Sequence, residues 1–192
     1  HVEGIIHARE VLQRVLDDLD DPDGNESDRV RIDARPTDPR EIARQVVTAF
    51  RPAASDKNLE LFLDIAPDAP VLVEIDPVRV RQVLFNLLAN AVRYTAHGGV
   101  RVHLQATTGV APGRAKLVFS VADTGAGMSR SQLALLFGPQ PAGSDDHGSG
   151  LQLSIRLTRL MGGKLVAESE LGQGSVIQFT LEAPVCAARD AA

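Results

Sequence analysis

The stretch from Asp76 to Thr95 constrains this chain more than any other. Asp76-Pro77 is a helix start: the aspartate side chain can cap free backbone N–H groups, and proline suits the first helical position. Beyond it Val80, Val83, Leu84, Leu87, Leu88 and Ala91 recur at i, i+3, i+4 and i+7, one apolar stripe. Asn86, Asn90 and Arg93 lie about a third of a turn away at helical spacing, so they share a face of their own. Asparagine costs a helix about 0.6 kcal/mol relative to alanine. One asparagine there fits a solvated surface. Two, aligned with an arginine beside an apolar stripe, suggest a polar site at the edge of a core. An amide oxygen is a hard ligand, suited to Mg²⁺ held mainly by phosphates and water. The planar fork of Arg93 can pair with a phosphate.

Two further stretches follow in order. Asp123-Thr-Gly125-Ala-Gly127-Met128 comes directly after the apolar run at 118–121. That puts a carboxylate at a strand end, where it can accept from the exocyclic amine of adenine, a contact guanine cannot supply in the same place. Gly125 and Gly127 allow close backbone approach and positive φ. The third stretch, Gly148-Ser-Gly150-Leu151, precedes a helix, whose free N–H groups attract phosphate. Neither is a dinucleotide fingerprint or a Walker A loop: Arg130 stands where a third glycine would be, and no Gly-Lys-Ser/Thr occurs. Singly, each stretch has an ordinary structural reading: a solvated helix face, an Asp-Gly turn, a loop–helix junction. Their order and spacing carry the argument for ATP.

The rest of the chain reads as mixed strands and helices. Residues 4–20 form an amphipathic pattern, either packed on its own domain or ending a longer helix that pairs with a partner subunit. Residues 21–29 are an acidic, turn-rich linker. A helix is predicted from Asp38 to about 54, with Glu41 as capping-box partner. Strands are predicted at 59–65, 71–75, 100–105 and 116–122. A short helix at 130–136 leads into a Gly/Pro-rich stretch, and the last helix, 151–161, stops at Gly162-Gly163. A hairpin with strands 164–169 and 175–182 closes the domain. Residues 184–192 read as a tail or a linker to a further domain. Without strict βαβ alternation, the expected fold is an α/β two-layer sandwich, one mixed, mostly antiparallel sheet with about three helices on one face, plus the N-terminal helix.

Composition narrows the classes. Six Phe, one Tyr and no Trp make the core aliphatic, and a net charge of −5 argues against a nucleic-acid surface. A lone cysteine, Cys186, cannot staple the fold and fits a reducing compartment. No apolar run approaches the roughly 18 residues of a membrane span, and no signal peptide is visible. The chain as given therefore reads as soluble, and its start without Met, inside a helical pattern, as a piece of something longer.

The ordered set resembles the ATP-binding catalytic domain of sensor histidine kinases, within the wider Bergerat-type family of gyrase, Hsp90 and MutL ATPases. The N box is Asp76-Pro-Val-Arg79-Val-Arg-Gln82-Val-Leu-Phe-Asn86-Leu-Leu-Ala-Asn90-Ala-Val-Arg93-Tyr94-Thr95, and the G1 box is Asp123–Met128. An F-box remnant is Leu136-Phe137-Gly-Pro139, the G2 box is Gly148-Ser-Gly150-Leu151-Gln-Leu153, and the last turn is Gly172-Gln-Gly174-Ser175. The resemblance covers roughly residues 30–183 and implies roles. Asn90 is the Mg²⁺ ligand, with Asn86 beside it as the second catalytic position. Arg93 stands where a phosphate-contacting Lys is usual, and Tyr94 stacks on adenine. Asp123 binds the adenine amine, with Gly125, Gly127 and Met128 around it. Gly148, Gly150 and Leu151 form the phosphate side, under a lid of 129–147. ATPase relatives carry a water-activating Glu four residues before the metal Asn. Here that position is Asn86, which favours phosphoryl transfer to a protein histidine over hydrolysis.

The sequence departs from the family at Gln140, where a second Phe is usual, at Gln152, where Gly is usual, and in a lid without Lys or Arg from 131 to 147. The alternative these motivate is a degenerate nucleotide-binding or interaction module. The family's phosphate-accepting motif, His-Glu-Leu-Arg-Thr-Pro, matches neither His1 nor His7. By resemblance, residues 1–20 end the second helix of a dimerisation domain whose accepting histidine lies upstream. The implied partners are that histidine-containing domain and a response-regulator receiver domain, in a homodimer. The implied location is the cytoplasmic part of a membrane-anchored kinase, with no membrane or nucleic-acid contact by this segment.

Overall fold

The computed structural model describes residues 31–108, 111–137 and 150–186. The predicted N-terminal helix, the acidic linker, Gly148, Gln140 and most of the tail lie outside the described residues.

Eleven elements are described, in the order β1 (Arg35–Thr37), α1 (Pro39–Asp56), β2 (Glu60–Ile65), β3 (Val73–Ile75), α2 (Pro77–Tyr94), β4 (Gly99–Thr108), β5 (Arg114–Asp123), α3 (Arg130–Phe137), α4 (Gly150–Leu160), β6 (Lys164–Glu170) and β7 (Gly174–Pro184). Five strands form one sheet in the order β2-β4-β5-β7-β6. β2 runs parallel to β4, and every other pair is antiparallel. This is the mixed, mostly antiparallel sheet expected.

Alternation decides which face is covered. On β5 Ala115, Leu117, Phe119 and Val121 are buried while the residues between them are not. Ile177, Phe179 and Leu181 do the same on β7. The buried face meets the apolar stripe of α2, where Val80, Val83, Leu84, Leu87 and Leu88 are all at most 1% exposed. At the centre Phe119 and Phe179 stack with ring centroids 4.7 Å apart. α1 adds Ile42, Val46, Val47 and Phe50, and α4 adds Leu151, Ile155 and Leu157. Three helices thus seal one face, as the period-3.6 and period-2 patterns require. Four helices are described in all; α3 has no buried residue and sits at the edge.

Two details differ from the sequence reading. β1 pairs antiparallel with β3 in a separate two-stranded ribbon, from Arg35↔Ile75 to Thr37↔Val73. Three residues carry no legible period, so β1 was not expected. Glu41 is not a capping-box partner either. Asp38 caps α1 alone, accepting from the Arg40 amide at 2.9 Å and from its guanidinium. Glu41 turns outward, accepts from Gln45 Nε2 and pairs with Arg44. The small helix α3 has the reciprocal arrangement instead: Ser129 N–H donates to Gln132 Oε1 and Gln132 N–H donates to Ser129 Oγ.

Asp76 does more than cap. Its Oδ1 accepts from the Val78 and Arg79 amides, each at 3.0 Å, and Oδ2 accepts from the Asp33 amide at 2.9 Å. The residue is buried, so all three donors lose their acceptor together if it is removed. We expect Asp76→Ala to cost about 2 kcal/mol or more, the upper end for a lost N-cap. Chemical denaturation checks this, as a lower midpoint with an unchanged slope.

Candidate functional site

The end of α2, the loop after β5, the start of α4 and the side of α3 converge on one cavity of about 370 Å³. That volume suits a small organic ligand. Its lining is apolar at Leu87, Ala91, Val121 and Ile177 and polar at Asn90, Asp123, Gln132 and the buried Ser175.

Asp123 is the last residue of β5. It is in register with Val100 of β4 and Ser175 of β7, so its position is set from both sides. Its Oδ1 accepts from the Gly125 amide at 2.8 Å. Burial pushes its carboxyl up from the usual 3.8, against the pull of the Gly125 and Ser175 N–H groups. The folded chain therefore holds a proton there more tightly than the unfolded chain. Stability from this group is complete below pH 3.8 and is lost as pH rises through the raised value. An ionised acceptor is thus kept in the cavity against the preference of the empty fold, as at sites built for a ligand.

The glycines shape the loop through protein contacts. A Cβ on Gly125 would stand 2.6 Å from the Tyr94 carbonyl oxygen and 3.0 Å from Thr95 Oγ1. Gly127 has φ +64°, and a Cβ there would collide with the Glu170 carbonyl at the β6–β7 turn. The loop is further tied by Ala126 N–H donating to Tyr94 O at 3.2 Å and Met128 N–H donating to Ser169 Oγ at 2.7 Å. Gly127 and Met128 line the cavity, while Gly125 lies behind it against α2.

The remaining expected residues divide. Asn90, Tyr94 and Leu151 line the cavity. Tyr94 is 58% exposed. Asn86 does not line it. Its Nδ2 donates to Gly150 O at 3.3 Å and to Ser154 Oγ at 3.4 Å, joining α2 to the start of α4. Gly150 stands against that amide, where a Cβ would lie 3.3 Å from Asn86 Cγ. Arg93 is exposed, with its guanidinium carbon 5.3 Å from the Tyr94 ring centroid. Gln132, Leu136, Ala126 and Ser175 also line the cavity and were not singled out from sequence as site residues. The β5–β7 register and the Ser129-x-x-Gln132 capping pattern are the signals that point to Ser175 and Gln132. Among the described residues no cluster of three or more His, Cys, Asp or Glu side chains could hold a metal.

Residues 75–185 match the family described as histidine kinase-, DNA gyrase B- and HSP90-like ATPases. The chain belongs to that family. It is an ATP-binding domain of the histidine kinase type, with the Bergerat fold expected from its sequence. Among curated relatives, the sensor histidine kinase RcsC of Escherichia coli (strain K12) is 31% identical over 98% of this chain and 20% of its own length. The autoinducer 2 sensor kinase/phosphatase LuxQ of Vibrio cholerae is 32% identical over 96% of this chain and 22% of its own. The chain thus spans about a fifth of these relatives. The crystal structure of full-length ShkA in complex with AMPPNP matches with a TM-score of 0.69 at 31% identity, over 97% of this chain and 36% of that one. Among the described residues no helix is long and apolar enough to cross a membrane.

For this ATP-binding domain we expect Asp123→Asn to leave the thermal midpoint at neutral pH equal or higher, because the partly desolvated charge is gone. ATP affinity should fall by at least about tenfold, the scale of a lost charge-assisted hydrogen bond. In the parent chain, ATP affinity should weaken as pH is lowered towards the raised carboxyl pKa. Scanning fluorimetry and calorimetry across the acidic range check both.

Proposed function

We propose that this chain is the catalytic domain of a sensor histidine kinase and transfers the γ-phosphate of ATP to a histidine on a dimerisation domain. Residues 30–183 form the catalytic domain, 1–20 the end of a dimerisation helix, 21–29 the linker and 184–192 the tail or linker to a following domain. The observation that carries the reading is Asp123, a strand-end carboxylate with a raised pKa, at the rim of an apolar cavity sized for a purine.

Adenine enters over Val121 and Ile177, with its amine donating to Asp123 and its face against Tyr94. Met128 and Leu151 close the apolar sides. The triphosphate then runs towards Asn90 and the start of α4, where Gly150 and Leu151 present backbone without a bulky side chain. Arg93 reaches phosphate by leaving its place over the Tyr94 ring. Mg²⁺ fits this donor set, because a single amide oxygen suits a cation whose other ligands are phosphates and water. Asn90 would hold it, and the ion supplies neutralisation of phosphate charge.

The reaction is an in-line displacement. An imidazole nitrogen bonds to the γ-phosphorus as the bond to the bridging β,γ-oxygen breaks, and ADP leaves. Asn86 cannot act as a base, and its amide is already engaged on Gly150 and Ser154. Among the described residues lining the cavity, Asp123 is the one carboxylate, and it sits at the purine end. Nothing there activates water, so catalysis is positioning and charge neutralisation. The natural partners are the histidine domain of the same protein, in a homodimer, and a receiver domain that takes the phosphoryl group. The domain would work on the cytoplasmic side of a membrane-anchored protein.

The test is phosphoryl transfer from labelled ATP to an added histidine-containing dimerisation domain. The chain should label it only with Mg²⁺ present. Asn90→Ala should lower transfer by at least about 100-fold, since losing even an outer-shell partner of a metal costs roughly 10–100-fold. ATP binding without any transfer would favour the degenerate-module reading. Sustained phosphate release by the chain alone would indicate a hydrolase.

A further inference from the structure

We infer that Lys57 is a positioning residue for the purine end of the cavity, acting through the last turn of α2. The inference rests on reading that cavity as an ATP site.

Lys57 is the C-cap residue of α1 and does not line the cavity. Asn58 follows in the left-handed region, at φ 54°, where the chain turns back into β2. The lysine side chain crosses to the far end of α2. Its Nζ donates to the carbonyl oxygens of Val92 at 2.6 Å, Arg93 at 3.1 Å and Thr95 at 2.9 Å. An ammonium has three donors, and all three are used.

A helix leaves its last four carbonyls without partners inside the helix. On α2 each has one from elsewhere. Ala91 O accepts from Thr95 N–H at 3.1 Å and Thr95 Oγ1 at 2.7 Å. Val92 O and Arg93 O accept from Lys57. Tyr94 O accepts from Ala126 N–H, the bond that hangs the 123–128 loop on the helix. A positive charge is favourable at a helix C-terminus. Arg93, the basic residue of that last turn, does not supply it to these carbonyls; its guanidinium lies over the Tyr94 ring.

Lys57 therefore fixes the one turn that carries both Tyr94 and the anchor of Ala126, and both line the cavity. Without the ammonium, three carbonyls turn to water and the turn frays. Tyr94 and Ala126 then lose their fixed separation. Asn90 lies a turn earlier and Gly150 on another helix, so the phosphate side keeps its geometry. The defect should fall on purine recognition while the fold stays intact.

The experiment uses the full 192-residue chain as parent, Lys57→Met and Lys57→Arg. It reads MgATP affinity by calorimetry and amide hydrogen exchange by NMR. Lys57→Met should bind MgATP about tenfold more weakly, the scale of a charge-assisted hydrogen bond. Thr95 and Ala126 amides should exchange at least about tenfold faster, while amides of residues 83–88 in the same helix keep their protection. Arginine can donate to the same carbonyls, so Lys57→Arg should restore most of both. Parent-like affinity in Lys57→Met, or uniform loss of protection along α2, overturns the inference. If the parent itself does not bind MgATP, the ATP reading fails instead, and the exchange pattern still decides whether Lys57 fixes the turn.

Discussion

Helix α2 is held by opposite charges at its two ends, and the site depends on that. Asp76 gathers amides at the N-terminus, and Lys57 gathers carbonyls at the C-terminus. Each charge meets the helix dipole with the favourable sign. Between them the apolar stripe is sunk into the sheet, so the helix can neither rotate nor slide. Asn90 and Tyr94 are then delivered to one cavity rim. The same helix end receives the Ala126 amide and so carries the loop that follows Asp123.

That loop is rigid through contacts with its own protein. Gly125 clears the end of α2, and Gly127 clears the β6–β7 turn. Ser169 ties Met128 to the same turn and also donates to Gly174 O. Fixing the backbone this way holds the half-buried Asp123 carboxyl in place without the loop collapsing around it. The cost appears as a carboxyl pKa raised by desolvation.

Much of this was legible in the sequence. The stripe from Val80 to Ala91 named the buried face of α2, and Asp76-Pro77 named its start. Strand alternation at Ile177, Phe179 and Leu181 gave the inner face of β7. The illegible parts rest on long-range contacts. β1 is three residues pairing with β3 across an entire helix. Gly125 and Gly127 were read as shaping a ligand pocket; Gly127 lines the cavity, but the neighbours that require glycine at both are the Tyr94 and Glu170 carbonyls. Asn86 shares the helix face of Asn90, but only the packing of α4 shows its amide committed to Gly150. Lys57 carried no local signal, because its partners lie 35 to 38 residues away.

The proposed adenine site predicts selection through the Asp123 carboxylate. Titrating MgATP and MgGTP into the chain by calorimetry reads that selection. Adenine offers Asp123 an amine donor where guanine offers a carbonyl acceptor. ATP should therefore bind at least about 100-fold more tightly, as expected where a polar group enclosed by the ligand is left unpaired. Equal affinity for the two nucleotides, or no binding of either, would contradict it.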